Sequence, residues 1–152
     1  MLFKQARMKT WKPDSPEGRK AILHMLGSLF VHNINCWPLF GAEKYASEAR
    51  RFLYALSDTD YLFHPYWKET GPVNGIQPEC KTLLVSVYEH DGKFLFAVLN
   101  NSDRPCSASI RINGLDGRTG KEAFSQQTVT VRDHKMDLGL AGREFKLFFF
   151  DR

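Results

Sequence analysis

Cysteine is scarce in this chain. There are three, Cys36, Cys80 and Cys106, and none stands in a C-x-x-C pair. An odd number without that spacing argues against a disulfide framework and a zinc knuckle, and the three read as free thiols. No run approaches the ~18 apolar residues needed to cross a bilayer. The start of the chain has no uninterrupted apolar segment of the signal-peptide kind, because Lys4, Gln5, Arg7 and Lys9 break it. A soluble chain with neither a signal peptide nor a membrane span is therefore expected, and its compartment stays open. Surplus charge is also small. Lys and Arg number 21 against 17 Asp and Glu, and residues 1–20 hold the whole excess, with six basic and two acidic side chains. A nucleic-acid footprint needs a basic face across the fold itself, so nucleic acid is not an expected partner. His24, His64, His90 and His134 lack H-x-x-x-H or H-E-x-x-H spacing, which argues against a metal site. Gly114 to Gly120 lies between strand patterns, opens no helix and reads as a turn, not a phosphate cradle. No cofactor is expected.

What is present suits one ordinary domain, or a small domain with an appended segment. The length of 152 residues, with 43% hydrophobic side chains and twelve Phe, is enough to bury a core and too short for a large enzyme. The two halves have different periods. Asp14-Ser15-Pro16-Glu17 is a helix start: Ser15 can accept an orphan backbone N–H, Pro16 suits the first turn, and Glu17 is favoured by the dipole. Ala21, Ile22, Met25, Leu26 and Leu29 then fall at helical spacing. Leu29-Phe30-Val31 suits a buried strand or the end of that helix equally well. A second helix is marked by Ala42, Tyr45, Ala46, Ala49, Phe52, Leu53 and Leu56 on one face and by Glu43, Lys44, Glu48, Arg50 and Arg51 on the other. Ser57-Asp58-Thr59-Asp60 ends it.

From Lys81 the period becomes two. Val85 and Val87, then Phe94, Phe96 and Val98 beyond the Asp91-Gly92 turn, form a hairpin pattern. Ala108 to Ile112, Val129 to Val131, Met136 to Leu140 and Phe145 to Phe150 add further strands. About six short strands punctuated by turns indicate an antiparallel sandwich. Phe145 to Phe150 is apolar on both faces near its end, so a central strand, or one covered by the helices, is expected there. The fold class expected is α+β, with a helical segment over residues 1–78 and an antiparallel β-sandwich over 79–152.

Two segments carry a resemblance. Lys81 to Asp103, strand, Asp-Gly, strand and an Asn-rich turn, resembles the first hairpin of the β-sandwich that closes many barrel-type glycoside hydrolases. Met25 to Asn33, Cys36-Trp37-Pro38 and Pro65-Tyr66-Trp67 resemble the last strand and following loop of the catalytic barrel in β-N-acetylgalactosaminidase-like glycoside hydrolases. The resemblance covers about residues 16–152. It implies a sandwich preceded by the end of a (β/α)8 barrel, and it withholds the activity. The family's reacting pair is an adjacent Asp and Glu, and no Asp-Glu dipeptide occurs in this sequence. A barrel also takes ~250 residues, whereas about eighty precede the sandwich. The resemblance thus implies a non-catalytic C-terminal fragment, supporting or accessory to a carbohydrate-active barrel. Alternatives are a stand-alone carbohydrate-binding module using exposed aromatics, or one chain of a split glycosidase. The expected partner is a carbohydrate or the missing barrel portion.

Glycoside hydrolysis needs two carboxyl groups facing the bond, ~5–9.5 Å apart. Asp58 and Asp60 belong to a helix-ending turn, and Glu69 and Glu79 flank a Pro/Gly-rich linker, so turn roles account for them and no catalytic residue is assigned. Carbohydrate contact is assigned to His32, Asn33, Asn35, Trp37, Tyr66 and Trp67. The first three would leave the C-terminal end of a strand at Leu29–Val31, the side on which barrels place their sites. The alternative is that they satisfy backbone groups in a tight loop, with the aromatics plugging an interface. Cys36 reads as a buried thiol beside Trp37. A strand formed with neighbours on both sides leaves unpaired backbone groups without them. Leu29–Val31 is therefore expected either to join a helix or to leave an exposed apolar patch.

Overall fold

The computed structural model describes residues 12, 14–34, 43–57, 60–69 and 71–152. Cys36, Pro38, Ala42 and Asp58 lie outside the described residues. The Ser15 hydroxyl accepts the Gly18 N–H at 3.0 Å and opens helix α1, Pro16–Phe30, with Pro16 in its first turn. Ile22, Leu26 and Phe30 recur at a spacing of four and are buried together. The helix is closed by the bonds Asn33 N–H to Phe30 C=O and Ile34 N–H to Leu29 C=O, at 3.1 and 2.9 Å, with Asn33 in the left-handed region at φ 54°. Asn tolerates that conformation better than most side chains. Leu29–Val31 is consequently the end of a helix and not a barrel strand. Helical hydrogen bonds satisfy the backbone groups that a solitary strand would leave bare.

Helix α2, Glu43–Leu56, buries Ala46, Ala49 and Leu56, with Tyr45, Phe52 and Leu53 packed beside them. Among the described residues nine strands follow: β1 (Leu62–His64), β2 (Val73–Gln77), β3 (Leu83–His90), β4 (Lys93–Asn100), β5 (Cys106–Ile112), β6 (Thr119–Glu122), β7 (Thr128–Thr130), β8 (Lys135–Leu140) and β9 (Phe145–Phe150). They form a six-stranded sheet in the order β1-β3-β4-β9-β6-β7 and a three-stranded sheet in the order β2-β5-β8, and all the pairings are antiparallel. The β3–β4 hairpin turns on Asp91 and Gly92, both at positive φ, as a two-residue hairpin loop requires.

Strand β9 lies between β4 and β6, and its alternation divides the core in two. Phe145, Leu147 and Phe149 face α1 and α2 together with Leu95, Ala97 and Leu99 of β4. Phe148 and Phe150 face the small sheet with Phe96 and Val98, meeting Ile110, Ile112, Met136 and Leu140. The helices, the large sheet and the small sheet are therefore three layers with two cores between them. Each fully buried side chain of this kind contributes about 1.5–3 kcal/mol. Gly27 permits the close seating of α1, since a Cβ there would stand 2.7 Å from the Phe145 ring.

The α+β sandwich is as expected, with differences in detail. Strands β1 and β2 precede residue 79, within the stretch read as helical, and hydrogen-bond to β3 and β5. They escape a period-two reading because β1 has three residues and β2 is interrupted by Gly75, where the register shifts. Strand β6 includes Thr119 and Gly120, the end of the stretch read wholly as a turn; Gly120 leaves room there for the Phe150 ring.

Candidate functional site

The C-terminus of α1 is anchored to β3 by two hydroxyl groups. Tyr88 Oη donates to the Phe30 carbonyl at 2.5 Å, and Ser86 Oγ donates to the Val31 carbonyl at 2.8 Å. A helix end leaves both carbonyls without α-helical partners; Phe30 also accepts the Asn33 N–H, and the Val31 carbonyl has the serine. Burial raises the Tyr88 phenol well above its ordinary pKa, so it remains a donor. Ser86 also accepts the Tyr66 N–H at 3.0 Å. One fully buried serine therefore holds the end of α1 and the segment after β1 side by side.

That bridge assembles four of the expected residues. The His32 ring stacks on Trp67, with centroids 5.7 Å apart and planes at 25°. Tyr66 stands edge-on to both, at 84° to His32 and 89° to Trp67. His32 Nδ1 lies 2.7 Å from the Ser28 carbonyl, which can only accept, so Nδ1 carries a proton. In the neutral ring Nε2 then accepts from Tyr66 Oη at 3.3 Å. Asn33 Oδ1 accepts the Tyr61 hydroxyl at 3.0 Å. Trp67 is 53% and Tyr66 38% exposed. Asn35 and Trp37 lie outside the described residues.

Tyr66 and Trp67 also line a cleft of about 760 Å³ whose other walls include Asn74, Asn113, Ile76 and Val87. Asn74 Nδ2 donates to Asn113 Oδ1 at 2.9 Å, and His64 Nε2 pairs with Glu89 Oε2 at 2.9 Å at the β1–β3 edge. A half-exposed indole, a phenol and carboxamides can stack on the C–H face of a ring and hydrogen-bond its substituents. Sequence reasoning missed Ser86, Tyr61, Asn74 and Asn113. Ser86 alone had a signal, a polar residue between Val85 and Val87 in a strand apolar on both sides; such a residue is normally fully hydrogen-bonded.

Of the carboxylates read as turn residues, Asp60, Glu69 and Glu79 are described, and all three are exposed. Asp60 N–H is held by the Ser57 hydroxyl at 3.1 Å. The buried Glu122 accepts the backbone N–H groups of Phe124, Ser125 and Leu147. Among the described residues no group of three or more His, Cys, Asp or Glu is arranged to hold a metal ion. The shifted histidine is elsewhere, on α1. Burial, then the neighbouring Arg143 guanidinium, lowers the His24 pKa, and Arg143 Nη1 donates to His24 Nε2 at 3.4 Å. Arg143 pairs with Asp103 at 2.8 Å and holds that carboxyl below its ordinary range. This cluster ties α1 to the β8–β9 connection and to the turn before β5.

No protein-family model matches the chain, and no curated protein matches it. Solved structures do. Over 91% of its length the chain is similar to a noncanonic maltogenic α-amylase from Thermotoga neapolitana, with a TM-score of 0.55 and 15% identity. It is similar over the same share to a GH30 endoxylanase from Clostridium papyrosolvens, with a TM-score of 0.55 and 13% identity. It covers 39% of each of those chains. An Anoxybacillus α-amylase matches 77% of this chain over 24% of its own, with a TM-score of 0.55 and 11% identity. At such identities the likeness is one of fold, and the chain spans less than two-fifths of the length of these enzymes. Its architecture is one that glycoside hydrolases contain as a part.

Proposed function

We propose that this chain is the non-catalytic C-terminal part of a glycoside-hydrolase-like protein, a β-sandwich with a helical lead-in that supports a carbohydrate-active (β/α)8 barrel. The observation that carries the reading is the likeness to three glycosidases, each over only a fraction of its length. In this reading residues 1–78 are the lead-in and 79–152 the sandwich, with β1 and β2 joining the lead-in to both sheets. The absent Asp-Glu dipeptide accords with chemistry residing elsewhere. Within glycoside hydrolases, a β-N-acetylgalactosaminidase-like parent is favoured by the sequence likeness of Cys36-Trp37-Pro38 and Pro65-Tyr66-Trp67, since Met25 to Phe30, read as its barrel strand, belongs to helix α1. Incubating the purified chain with aryl N-acetylhexosaminides, aryl glucosides and aryl xylosides tests it. No turnover is expected, and release of the aryl group that survives repurification would refute the reading.

A second reading, a carbohydrate-binding role of its own, is favoured by the half-exposed Trp67 beside the cleft. His32, Asn33, Tyr66 and Trp67 are then the contact set, with Asn35 and Trp37 as further members. Titration with N-acetylgalactosamine, maltooligosaccharides and xylooligosaccharides, followed by calorimetry, decides it. Saturable heat supports this reading, and its absence at millimolar sugar removes it.

A further inference from the structure

Cys80 and Cys106 are 26 positions apart in sequence, yet their sulfur atoms lie 2.9 Å apart. The fold holds both in place. Cys106 is the first residue of β5 and is paired with Leu140 of β8, while the Cys80 carbonyl accepts the Leu83 N–H at 3.0 Å just before β3. Neither residue is fully buried, so both sulfurs are within reach of a small reagent. The two thiols are also unlike. Hydrogen bonds from Cys106 and Thr82 lower the Cys80 pKa, whereas burial, and then the Cys80 sulfur, push Cys106 up to about 11. Odd cysteine number argues against a framework of several bridges, but it leaves a single pair open. The sulfurs need to close by roughly 0.9 Å to reach the ~2.05 Å of a disulfide.

We propose that Cys80 and Cys106 are a redox-modification site, which a low-molecular-weight disulfide converts into an intramolecular cross-link between the β2–β3 connection and the start of β5. The more acidic Cys80 supplies the attacking thiolate. It displaces one thiolate from the small disulfide, forming a mixed disulfide, and the departing group takes up a proton. Cys106 then loses its proton, and its sulfur attacks the Cys80 sulfur of the mixed disulfide, expelling the second small thiol. Two protein thiols are oxidised by two electrons, and one small disulfide is reduced to two thiols. The bond ties the lead-in to β3 of the large sheet to β5 of the small one, closing a loop that denaturation would otherwise release.

The test uses the full chain carrying Cys36→Ser, incubated with oxidised glutathione or with dithiothreitol. With the glutathione, the expected results are loss of both thiol titres, a mass lower by about 2 Da as two hydrogens leave, and a proteolytic fragment joining Cys80 to Cys106. The melting midpoint should rise by roughly 10 °C over the reduced sample for a loop of this length. Cys80→Ser and Cys106→Ser should each abolish the rise. Two titratable thiols after oxidation, stable glutathione adducts in place of the cross-link, or linkage only between molecules would overturn the proposal. A cross-link that left the midpoint unchanged would overturn its role in tying these two segments. The mass and thiol measurements need only the Cys36→Ser chain, and unmodified protein, with Cys36 blocked after mapping, serves should that variant fail to fold.

Discussion

Replacing Ser86 by Ala removes the bridge on which the aromatic cluster rests. The side chain is fully buried and makes two hydrogen bonds, donating to the Val31 carbonyl at 2.8 Å and accepting the Tyr66 N–H at 3.0 Å. Each such bond is worth about 0.5–1.5 kcal/mol net, and a partner left buried and unpaired costs about 1–3 kcal/mol. Val31 has no exposed surface, so its carbonyl has little access to replacement water. The apolar gain from alanine is small, because only an oxygen is lost. A destabilisation of about 2–3 kcal/mol follows. Equilibrium unfolding in urea, monitored by circular dichroism and aromatic fluorescence, measures it. Tyr88→Phe provides a partner for a double-mutant cycle: it removes the neighbouring bond to the Phe30 carbonyl, and the two changes should couple by about 0.5 kcal/mol or more. A Ser86→Ala loss below about 0.5 kcal/mol, with additive behaviour in the cycle, would refute the bridging role assigned to Ser86.

Gly27→Ala sets helix propensity, worth about 1 kcal/mol in favour of alanine, against a Cβ standing 2.7 Å from the Phe145 ring. Overpacking costs about 1–3 kcal/mol, so a net loss of up to roughly 2 kcal/mol is expected in thermal or urea unfolding, and a stabilised variant would contradict the close seating of α1. Should sugar bind, Trp67→Ala should weaken it at least about tenfold, as expected for removal of a stacking ring, while the fold loses only about 1–2 kcal/mol for the half-buried ring's packing on His32 and Tyr66. Acidification should destabilise the fold in two stages. The folded chain holds His24 below its ordinary 6.5, so the unfolded chain takes up that proton first. The associated stability is complete above pH 6.5 and is lost as the pH falls towards the lowered folded-state value. His24→Gln should flatten that limb in unfolding measured across pH, whereas the loss from Asp103, held below its ordinary 3.8 by Arg143, comes only in stronger acid.

The elements with strong local chemistry were legible in the sequence. Ser15-Pro16-Glu17 marked the start of α1, the Asp91-Gly92 pair marked the hairpin, and the apolar run Leu147 to Phe150 in β9 announced a strand covered on both faces. Leu29-Phe30-Val31 was ambiguous because its side chains suit either period. The choice came from Asn33 closing the helix and from Ser86 and Tyr88 donating hydrogen bonds to its last carbonyls, partners 55 and 58 positions away. Short strands without alternation, β1, β2 and β6, take their conformation from the strands beside them. The gathering of His32, Asn33, Tyr66 and Trp67 depends on the same distant serine. Their residue types could be read as sugar-compatible, but their mutual geometry could not.

The DNA on the upstream side of the coding region offers the most direct measurement of whether this sandwich serves a separate catalytic body. Reading it should reveal segments encoding alternating strands and helices of a (β/α)8 barrel, in frame or in an adjacent reading frame, including a neighbouring Asp and Glu. Finding no such barrel there, while the isolated chain hydrolyses a glycoside, would contradict the account.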